Sequence, residues 1–363
     1  MQHRIFRICI LFFIVVFTCQ NASAQKKAII AYFSGNAQGL DSFKVDQFTH
    51  LIYCFGHVKD NKLHISRERD SLLIQKMVSL KKKNKDLKVL LSLGGWGGCA
   101  PCSDAFSTEE GRLTFARSVK ELCEYFGTDG IDLDWEYPAI SGYPGHSFKP
   151  EDKPNFTALV KELKTTLGKK RIVTFAAGGF DKFLNESIDW KEVMPYVEYV
   201  NLMTYDLTSG FSVVTGHHTP LFSNPSQKQS TDNCVQWLIN NGVKRSKLII
   251  GAAFYTRIWQ NVEAINNGLY QSGKFKGAMP YSRFINEFIA EKGYQVYWDE
   301  VSRAPYAYNA KEKLFATFDD KRSIFEKSLY VKKHKLGGIM FWHLGEDKAN
   351  DGLLQTINTV LKK

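Results

Sequence analysis

Eight short, mostly apolar runs recur along the chain, and each is followed by a segment of helical or loop character. The runs are residues 28–33, 48–55, 87–93, 129–138, 171–177, 196–205, 247–255 and 337–342. Helical periodicity is clearest in residues 115–125, 154–167 and 231–240. Apolar strands that alternate with helices are typical of parallel sheets with crossover helices. Eight such units predict an α/β protein with a closed (β/α)8 TIM barrel. An open doubly wound sheet is the alternative, but no glycine-rich phosphate loop opens a helix.

The spacing of the runs is even except between the seventh and the eighth, where about 80 residues intervene. This segment is rich in tyrosine, phenylalanine and tryptophan, which argues against a disordered loop. We therefore predict a small α+β insertion between strand 7 and helix 7. The predicted domains are a barrel of residues 25–260 and 319–363 and an insertion of residues 261–318.

The N-terminal residues have the layout of a secretory signal peptide. Arg4 and Arg7 precede an apolar run at 8–17, and the small residues 22–24 offer a cleavage site. We predict a signal peptide of residues 1–24 and a secreted or periplasmic protein without stable membrane insertion. Cys19 leaves open a lipid-anchored N-terminus as a minor alternative.

Charge and cysteine content bear on whether the protein binds nucleic acid or a metal. The formal net charge is +11, but the basic residues are scattered and no nucleic-acid motif accompanies them. Five of the seven cysteines lie beyond the predicted signal peptide, and Cys99 and Cys102 form a close pair. Because an exported chain with one such pair is a poor candidate for zinc, we predict a local disulfide in a surface loop. We expect a monomer with no metal and no cofactor.

Three carboxylates, Asp132, Asp134 and Glu136, alternate along the fourth run. The residues between them are apolar: Ile131, Leu133 and Trp135. Successive side chains of a strand point to opposite faces, so the acids share one face and lie about 6.6–7 Å apart. Stacked like charges raise each other's pKa, and a purely structural strand gains nothing from them. The stretch is therefore a candidate catalytic site, and a solvated strand edge is the less favoured interpretation.

Polar and aromatic residues recur where the predicted strands end. They are Trp96, Glu136, Tyr205 with Asp206, Tyr255 with Arg257, and Trp342. Active sites of these barrels lie at the carboxyl ends of the strands. Aromatic platforms beside a few carboxylates suit a sugar, because rings stack on its apolar faces and acids bind or protonate its oxygens.

The predicted roles of the three acids follow from how far each lies from the rim of the barrel. Glu136 is nearest the rim and is the predicted proton donor, Asp134 influences its pKa by charge or shares its proton, and Asp132 holds or takes that proton. Ordinary retaining glycosidases also need a nucleophile about 5–5.5 Å from the acid. Only Asp206 offers one at another strand end. This favours a reaction in which a 2-acetamido carbonyl of the substrate attacks the anomeric carbon, while Tyr205 binds the carbonyl oxygen.

The stretch Asp-Gly-Ile-Asp-Leu-Asp-Trp-Glu-Tyr-Pro at 129–138 resembles the signature of glycoside hydrolase family 18, the chitinases. Similar family segments are Ser-Leu-Gly-Gly-Trp at 92–96, Met-Thr-Tyr-Asp at 203–206 and Gly-Gly-Ile-Met-Phe-Trp at 337–342. Trp298-Asp299 and Pro305-Tyr306 resemble the insertion domain of chitinases with a deep cleft. The likeness covers nearly all of residues 25–363.

The resemblance implies roles that agree with those read from the residues. Glu136 is similar to the general acid, and Asp134 to the residue that turns between Asp132 and the substrate acetamide. Trp342 is similar to the floor under the reacting sugar, and Trp96 to a platform on the leaving-group side. The full set of implied substrate-binding residues is Tyr32, Phe55, Trp96, Met203, Asp206, Tyr255, Arg257 and Trp342.

Two departures from the family pattern and two further hypotheses stay open. Ala31 stands where glycine is common, and the loop at 96–99 is unusually small and carries a cysteine, which puts the outer contacts on that side in doubt. A chitinase acting on chitin or chito-oligosaccharides is the favoured function. The alternatives are an endo-β-N-acetylglucosaminidase acting on N-glycan cores and a non-catalytic chitin-binding lectin, which the presence of Glu136 disfavours.

Overall fold

The computed structural model describes residues 26–362, so the predicted signal peptide and Cys19 lie outside the described residues. Fourteen strands are present in that range. They are β1 (Ala28–Phe33), β2 (His50–Lys59), β3 (Lys62–His64), β4 (Lys88–Gly94), β5 (Gly130–Asp134), β6 (Ile172–Gly178), β7 (Tyr199–Met203), β8 (Leu248–Ala253), β9 (Tyr255–Gln260), β10 (Lys274–Pro280), β11 (Gln295–Asp299), β12 (Ala304–Asn309), β13 (Leu314–Thr317) and β14 (Gly338–Trp342).

Eight of these strands close into a parallel barrel. Their order is β1, β14, β8, β7, β6, β5, β4 and β2, and the β1–β2 pairing closes the ring. The predicted TIM barrel is thus confirmed, because short apolar strands buried on both faces require a helix layer outside and a packed interior. β3 forms an antiparallel hairpin with the extended end of β2.

Ten α-helices lie in the same range. They are α1 (Glu68–Ser79), α2 (Cys102–Ala105), α3 (Glu109–Phe126), α4 (Asp152–Leu167), α5 (Asp181–Glu186), α6 (Trp190–Val193), α7 (Thr231–Asn240), α8 (Tyr281–Phe284), α9 (Lys321–Lys333) and α10 (Leu353–Leu361). Among residues 26–362, no helix is both long enough and apolar enough to cross a membrane.

The apolar face of β5 is buried against the helix layer. Ile131, Leu133 and Trp135 are at most 3% exposed, and the Trp135 ring lies 5.6 Å from that of Phe106 and 6.3 Å from that of Phe156. Alternation along the strand therefore turns the acids of the other face toward the barrel axis. The strand itself ends at Asp134, earlier than the predicted run, so Glu136 lies in the loop above it.

The insertion is an antiparallel sheet of order β10, β9, β13, β12 and β11, with the short helix α8 after β10. It follows the seventh barrel strand, β8, and precedes α9, in agreement with the predicted position. The sheet begins at Tyr255, inside the segment that the predicted boundaries assign to the barrel. The division of the chain at residues 261 and 318 stays a prediction.

Cys99 and Cys102 are joined by a disulfide, as predicted, with their Cα atoms 5.2 Å apart. The expectation of a surface loop is wrong for the sulfur atoms, because the two residues are only 3% and 0% exposed. Helix α2 begins at Cys102 and packs the bridge into the main core. Cys54, Cys123 and Cys234 are free and buried.

A fully buried ion pair, Lys327 with Asp319, lies between α9 and the barrel. Lys327 Nζ donates to Asp319 Oδ2 at 2.6 Å and to the Thr219 hydroxyl at 2.5 Å. Asp319 also accepts hydrogen bonds from the Ala253 amide and the Ser323 hydroxyl. With every partner in place, the pair fixes the helix that follows the insertion against the end of β8.

We expect Lys327→Ala to lower the free energy of unfolding by about 3–5 kcal/mol, because it leaves a buried carboxylate without its cation. Chemical denaturation followed by circular dichroism measures this loss. Lys321→Ala on the same helix is the control, since its partner Asp351 is 78% exposed and the pair is screened by water. Equal stability of the two variants would contradict the importance of the buried pair.

Candidate active site

The acids predicted from the sequence lie at the carboxyl end of the barrel, where β5 ends beside β4 and β6. Gly94 ends β4 with a φ of +103°, and a Cβ there would stand 2.2 Å from the Asp134 carbonyl oxygen. That carbonyl accepts a hydrogen bond of 2.9 Å from the Gly95 amide. The close approach of the two strand ends, which only glycine permits here, places the acid-bearing loop over the barrel mouth.

Asp132 is fully buried and accepts hydrogen bonds from side chains of four other barrel strands, β1, β4, β6 and β7. Oδ1 accepts from Thr174 at 2.6 Å and from Asn201 at 3.0 Å, and Oδ2 accepts from Tyr32 and Ser92 at 3.0 Å each. Burial raises the pKa of Asp132, and these four donors partly offset the rise because they stabilise the carboxylate. Asp132 is therefore a carboxyl group at the base of the site that protein donors, rather than water, hold in one position.

Three of those donors, Ser92, Thr174 and Asn201, were not predicted as site residues. Each is a single polar residue in the middle of an apolar strand and is fully buried. A buried polar side chain needs a hydrogen-bond partner, so a polar residue inside an otherwise apolar run is a detectable sequence signal. Read together, the three would have indicated a polar centre inside the barrel.

Asp134 differs from Asp132 because no comparable set of hydrogen-bond donors within residues 26–362 surrounds its carboxyl group. Its Oδ1 is buried and has no hydrogen-bond partner among residues 26–362. Burial, then the charges of Glu136 and Asp132, raise its pKa well above the ordinary value. Asp134 is thus favoured in its protonated form, and its side chain is not held to Asp132 by a hydrogen bond in this state.

Glu136 lies two residues beyond the end of β5 and is partly exposed. Burial raises its pKa to about 7, and the Asp206 carboxylate adds to the rise while the Tyr137 hydroxyl opposes it. The charge of Glu136 in turn raises the pKa of Asp134, because the repulsion between two neighbouring carboxylates acts on both. Glu136 can therefore hold a proton near neutral pH, as a general acid must.

Asp206 follows β7 and is held by Arg257 of the first insertion strand. Arg257 Nε and Nη2 each donate to one carboxylate oxygen at 2.6 Å. Burial would raise the pKa of Asp206, but the Arg257 hydrogen bonds and the nearby His218 ring hold it well below the ordinary value. His218, a buried residue that sequence reasoning missed, lies 3.6 Å from Asp206, which is longer than a hydrogen bond.

The site residues described above all lie in a part of the chain that matches a known protein family. The sequence model described as "Glycosyl hydrolases family 18" matches residues 17–347. The chain belongs to glycoside hydrolase family 18. The family predicted from the motif at residues 129–138 is thereby confirmed.

Several relatives of this family 18 hydrolase are similar over most of its length. Chitinase A1 of Niallia circulans is 32% identical over 299 residues, which cover 76% of this chain and 43% of the relative. Chitotriosidase-1 of Mus musculus is 32% identical over 324 residues, which cover 82% of this chain and 67% of the relative. The chain thus spans less than half the length of the first of these relatives.

A solved structure agrees closely with the fold of the family 18 hydrolase. It is a family 18 N-acetylglucosaminidase from Paenibacillus barengoltzii, with a TM-score of 0.84 and 34% identity. The likeness covers 92% of this chain and 99% of that protein chain. The match therefore extends over both the barrel and the insertion of this chain.

Tyr205 of the family 18 hydrolase stands at the edge of the acid cluster. Within residues 26–362, its hydroxyl makes only a weak contact, 3.8 Å, with the thioether of Met340. Burial and the charges of Asp134 and Glu136 raise its pKa, which keeps the phenol protonated. Tyr205 therefore offers a free O–H donor beside the two acids.

Aromatic residues predicted from β1, β2 and β14 meet on one side of the acids. The rings of Phe55 and Trp342 stack 5.5 Å apart at 14°, and Tyr32 lies 6.1 Å from Trp342. Met203 is 9% exposed and belongs to the small apolar cluster beneath these rings. Tyr255 packs edge-on to Tyr205 at 6.1 Å. This side of the cleft is thus a wall of rings with a flat indole at its base.

Trp96 lies apart from that wall, at the rim after β4, and is 49% exposed. Two rings missed by the sequence reasoning surround it, Tyr143 at 5.5 Å and Phe211 at 6.1 Å. They come from the loops after β5 and β7, so their contact with Trp96 depends on barrel closure. The predicted platform is therefore one member of an exposed aromatic group.

Proposed function

We propose that this family 18 hydrolase is a chitinase that cleaves β-1,4 bonds between N-acetylglucosamine units with retention of configuration. The observation that supports the mechanism is the ion pair of Asp206, which is the only other strand-end carboxylate that the sequence offers as a nucleophile. Both of its oxygens are bound by Arg257 at 2.6 Å. A carboxylate held in this way is poorly available to attack carbon, so the attacking oxygen is assigned to the substrate acetamide.

In the first step Glu136 donates its proton to the glycosidic oxygen as the bond to the anomeric carbon breaks. The acetamido carbonyl oxygen attacks that carbon, and an oxazolinium ion forms while the shortened chain leaves. Asp134 orients the amide N–H and balances the positive charge, and Tyr205 donates a hydrogen bond to the carbonyl oxygen until it attacks. Asp132 is assigned the proton that Asp134 gives up when it turns toward the sugar.

In the second step the Glu136 carboxylate takes a proton from water, and that water attacks the anomeric carbon. The oxazolinium opens, the acetamide is restored and Glu136 is protonated again. Two displacements at one carbon give net retention. No carboxylate of the protein bonds to the sugar at any point.

The aromatic residues supply binding rather than proton transfer. Trp342, backed by Phe55, is assigned as the floor under the reacting sugar, and Trp96 as a platform on the leaving-group side. Tyr32, Met203 and Tyr255 shape the pocket around the acetamide. The chitinases among the relatives support chitin as the substrate class, and the N-acetylglucosaminidase in the solved structure supports the same sugar.

Incubation with chitohexaose, and separately with a high-mannose glycopeptide, tests the substrate. We expect chitohexaose to be cut and the glycopeptide to be left intact. NMR of the first products should detect the β-anomer before mutarotation, since the scissile bond is β. Initial α-anomer would contradict the substrate-assisted route, and cleavage of the glycopeptide alone would favour an endo-β-N-acetylglucosaminidase.

The pH dependence follows from the sign of the Glu136 shift. The reaction needs protonated Glu136, and the pKa of Glu136 is about 7, so kcat/KM should fall as the pH rises through about 7. Rates with a fluorogenic chitobioside between about pH 4 and 10 measure this alkaline limb.

Asp206→Asn tests whether the charge of Asp206 contributes to the raised pKa of Glu136. Removing the Asp206 charge removes one source of the raised pKa and leaves Arg257 unpaired nearby, so the alkaline limb should move to lower pH. Asp189→Asn, which keeps an N-cap acceptor for α6, serves as the control and should leave the limb in place. An upward shift in Asp206→Asn would show that Glu136 is not the titrating group.

We also propose that residues 1–24 direct export and that the protein works as a monomer outside the cytoplasm. Two arginines near the start, the apolar run at 8–17 and the small residues before Gln25 support export. Mass spectrometry of the exported protein reports the cleavage site, and a mature N-terminus lipidated at Cys19 would replace this assignment. Sedimentation of the purified protein tests the monomer.

A further inference from the structure

A second concavity lies at the opposite end of the barrel from the acids. It has a volume of about 420 Å³ and is formed where the barrel strands begin. Ala28, His50, Lys88, Ile172 and Tyr199, from β1, β2, β4, β6 and β7, line it. We call this concavity the basal pocket. Its volume lies within the range of about 300–1,000 Å³ that is common for small-ligand sites.

The wall of the basal pocket is strongly basic, with seven cationic and three acidic side chains. The cationic residues are Lys26, Lys88, Lys164, Lys169, Lys170, Arg171 and Lys362, and the acidic residues are Asp46, Asp86 and Glu198. Ion pairs occur at many other places on this chain. None of the ion pairs found within residues 26–362 includes any of these seven cations.

Backbone contacts fix part of this wall. Lys164 donates to the Arg171 carbonyl at 2.9 Å, and Arg171 donates to the Thr128 carbonyl at 2.6 Å. Lys88, Lys169 and Lys170 have no side-chain hydrogen bond to residues 26–362. The pocket thus combines cations anchored in place with cations whose donors are free to bind a ligand.

The inner end of the pocket is polar. His50 is 7% exposed, and its Nδ1 lies 2.8 Å from the Thr49 hydroxyl oxygen. The Thr49 hydroxyl donates its own proton to the Ile29 carbonyl, so Nδ1–H of His50 is the donor of that contact. The edge of the Tyr199 ring packs against the imidazole, with the ring centroids 5.6 Å apart. His50 and Tyr199 thus add a buried imidazole and an aromatic ring to the lining of the basal pocket.

We propose that the basal pocket binds a phosphate-bearing anion. Like charges gathered around a concave wall repel each other and focus a positive potential, and a multiply charged anion relieves both effects. Lysine ammonium groups are common phosphate partners, and several can contact separate phosphate oxygens. Lys88, Lys164 and Arg171 are partly buried, whereas the three acidic side chains are exposed, so water screens the acids more than it screens these three cations. This site is independent of the proposed hydrolysis.

Calorimetric titration with pyrophosphate, at constant ionic strength, tests the proposal. The pocket variant is Lys88→Ala/Lys169→Ala/Lys170→Ala. The control variant, Lys274→Ala/Lys276→Ala/Lys311→Ala, removes the same charge from exposed positions of the insertion. We expect wild type and control to bind pyrophosphate equally, and the pocket variant to bind at least about tenfold more weakly, since each charge-assisted contact contributes appreciably.

Vesicles distinguish a free phosphate from a lipid headgroup. Binding to phosphatidylglycerol vesicles that pyrophosphate displaces, and that the pocket variant loses, identifies the headgroup as the source. Pyrophosphate binding without vesicle binding identifies a soluble phosphate compound. Failure of the wild type to bind pyrophosphate, or equal weakening in both triple variants, overturns the proposal. Thermal melts of the three proteins confirm that they are folded, and hydrolysis assays are not needed.

Discussion

Glu136→Gln is expected to lower turnover of chitohexaose by about 10³-fold or more while oligosaccharide affinity stays within a few-fold of wild type. Glutamine fills the same volume but has no proton to give at any working pH. The glycosidic oxygen would then leave as an alkoxide, which is a poor leaving group. Because the aromatic wall around Trp342 is untouched, the sugar should still bind.

The variant also separates the enzyme from the lectin alternative. Chitotetraose binding, followed by tryptophan fluorescence, should be retained in Glu136→Gln, and the pH-dependent loss near 7 should disappear from any residual rate. Glu198→Gln, an exposed change at the other end of the barrel, is the matched control and should behave as wild type. A Glu136→Gln protein that keeps most of its turnover would remove Glu136 from the role of acid.

The barrel was predictable because the sequences of its strands are nearly continuous apolar runs. β1 occupies the predicted residues, and α7 does so as well. Other ends moved by a few residues because loops above the strands carry the same apolar and aromatic residues as the strands themselves. Glu136 is the important case, since the alternating pattern continues through a loop after the strand has ended.

Contacts between distant segments were not predictable from one sequence. The Arg257–Asp206 pair joins residues 51 positions apart, and it decides whether a protein nucleophile is available. Asn201 reaches Asp132 across 69 positions. The local sequence marks these residues one by one but does not show which of them pair, because closure of the barrel brings β5, β7 and the start of the insertion together.

The basal pocket illustrates the same limit for charge. Its cationic residues are spread from Lys26 to Lys362, and along the chain they have the appearance of ordinary solvated loop residues. No motif connects them along the chain. Their convergence arises because strand starts of a parallel barrel all lie at one end.

The role of Asp134 can be tested with equal rigour, because its surroundings distinguish it from its neighbour. Asp132 is held by four donors, whereas Asp134 Oδ1 has no partner among residues 26–362. A side chain without fixed contacts is free to turn toward the acetamide of a bound sugar. Its raised pKa means that it brings a proton, which it must lose to balance the charge of an oxazolinium ion.

Asp134→Asn is therefore expected to lower turnover by about 10²- to 10³-fold, the range for removing one group that stabilises transition-state charge. Asparagine still accepts the amide N–H but never becomes negative. Affinity for a chitobiose thiazoline, which mimics the oxazolinium, should fall in parallel with turnover, whereas chitotriose affinity should change little. If turnover falls and thiazoline affinity does not, Asp134 acts on the ground state, and the charge-balancing role assigned to it is wrong.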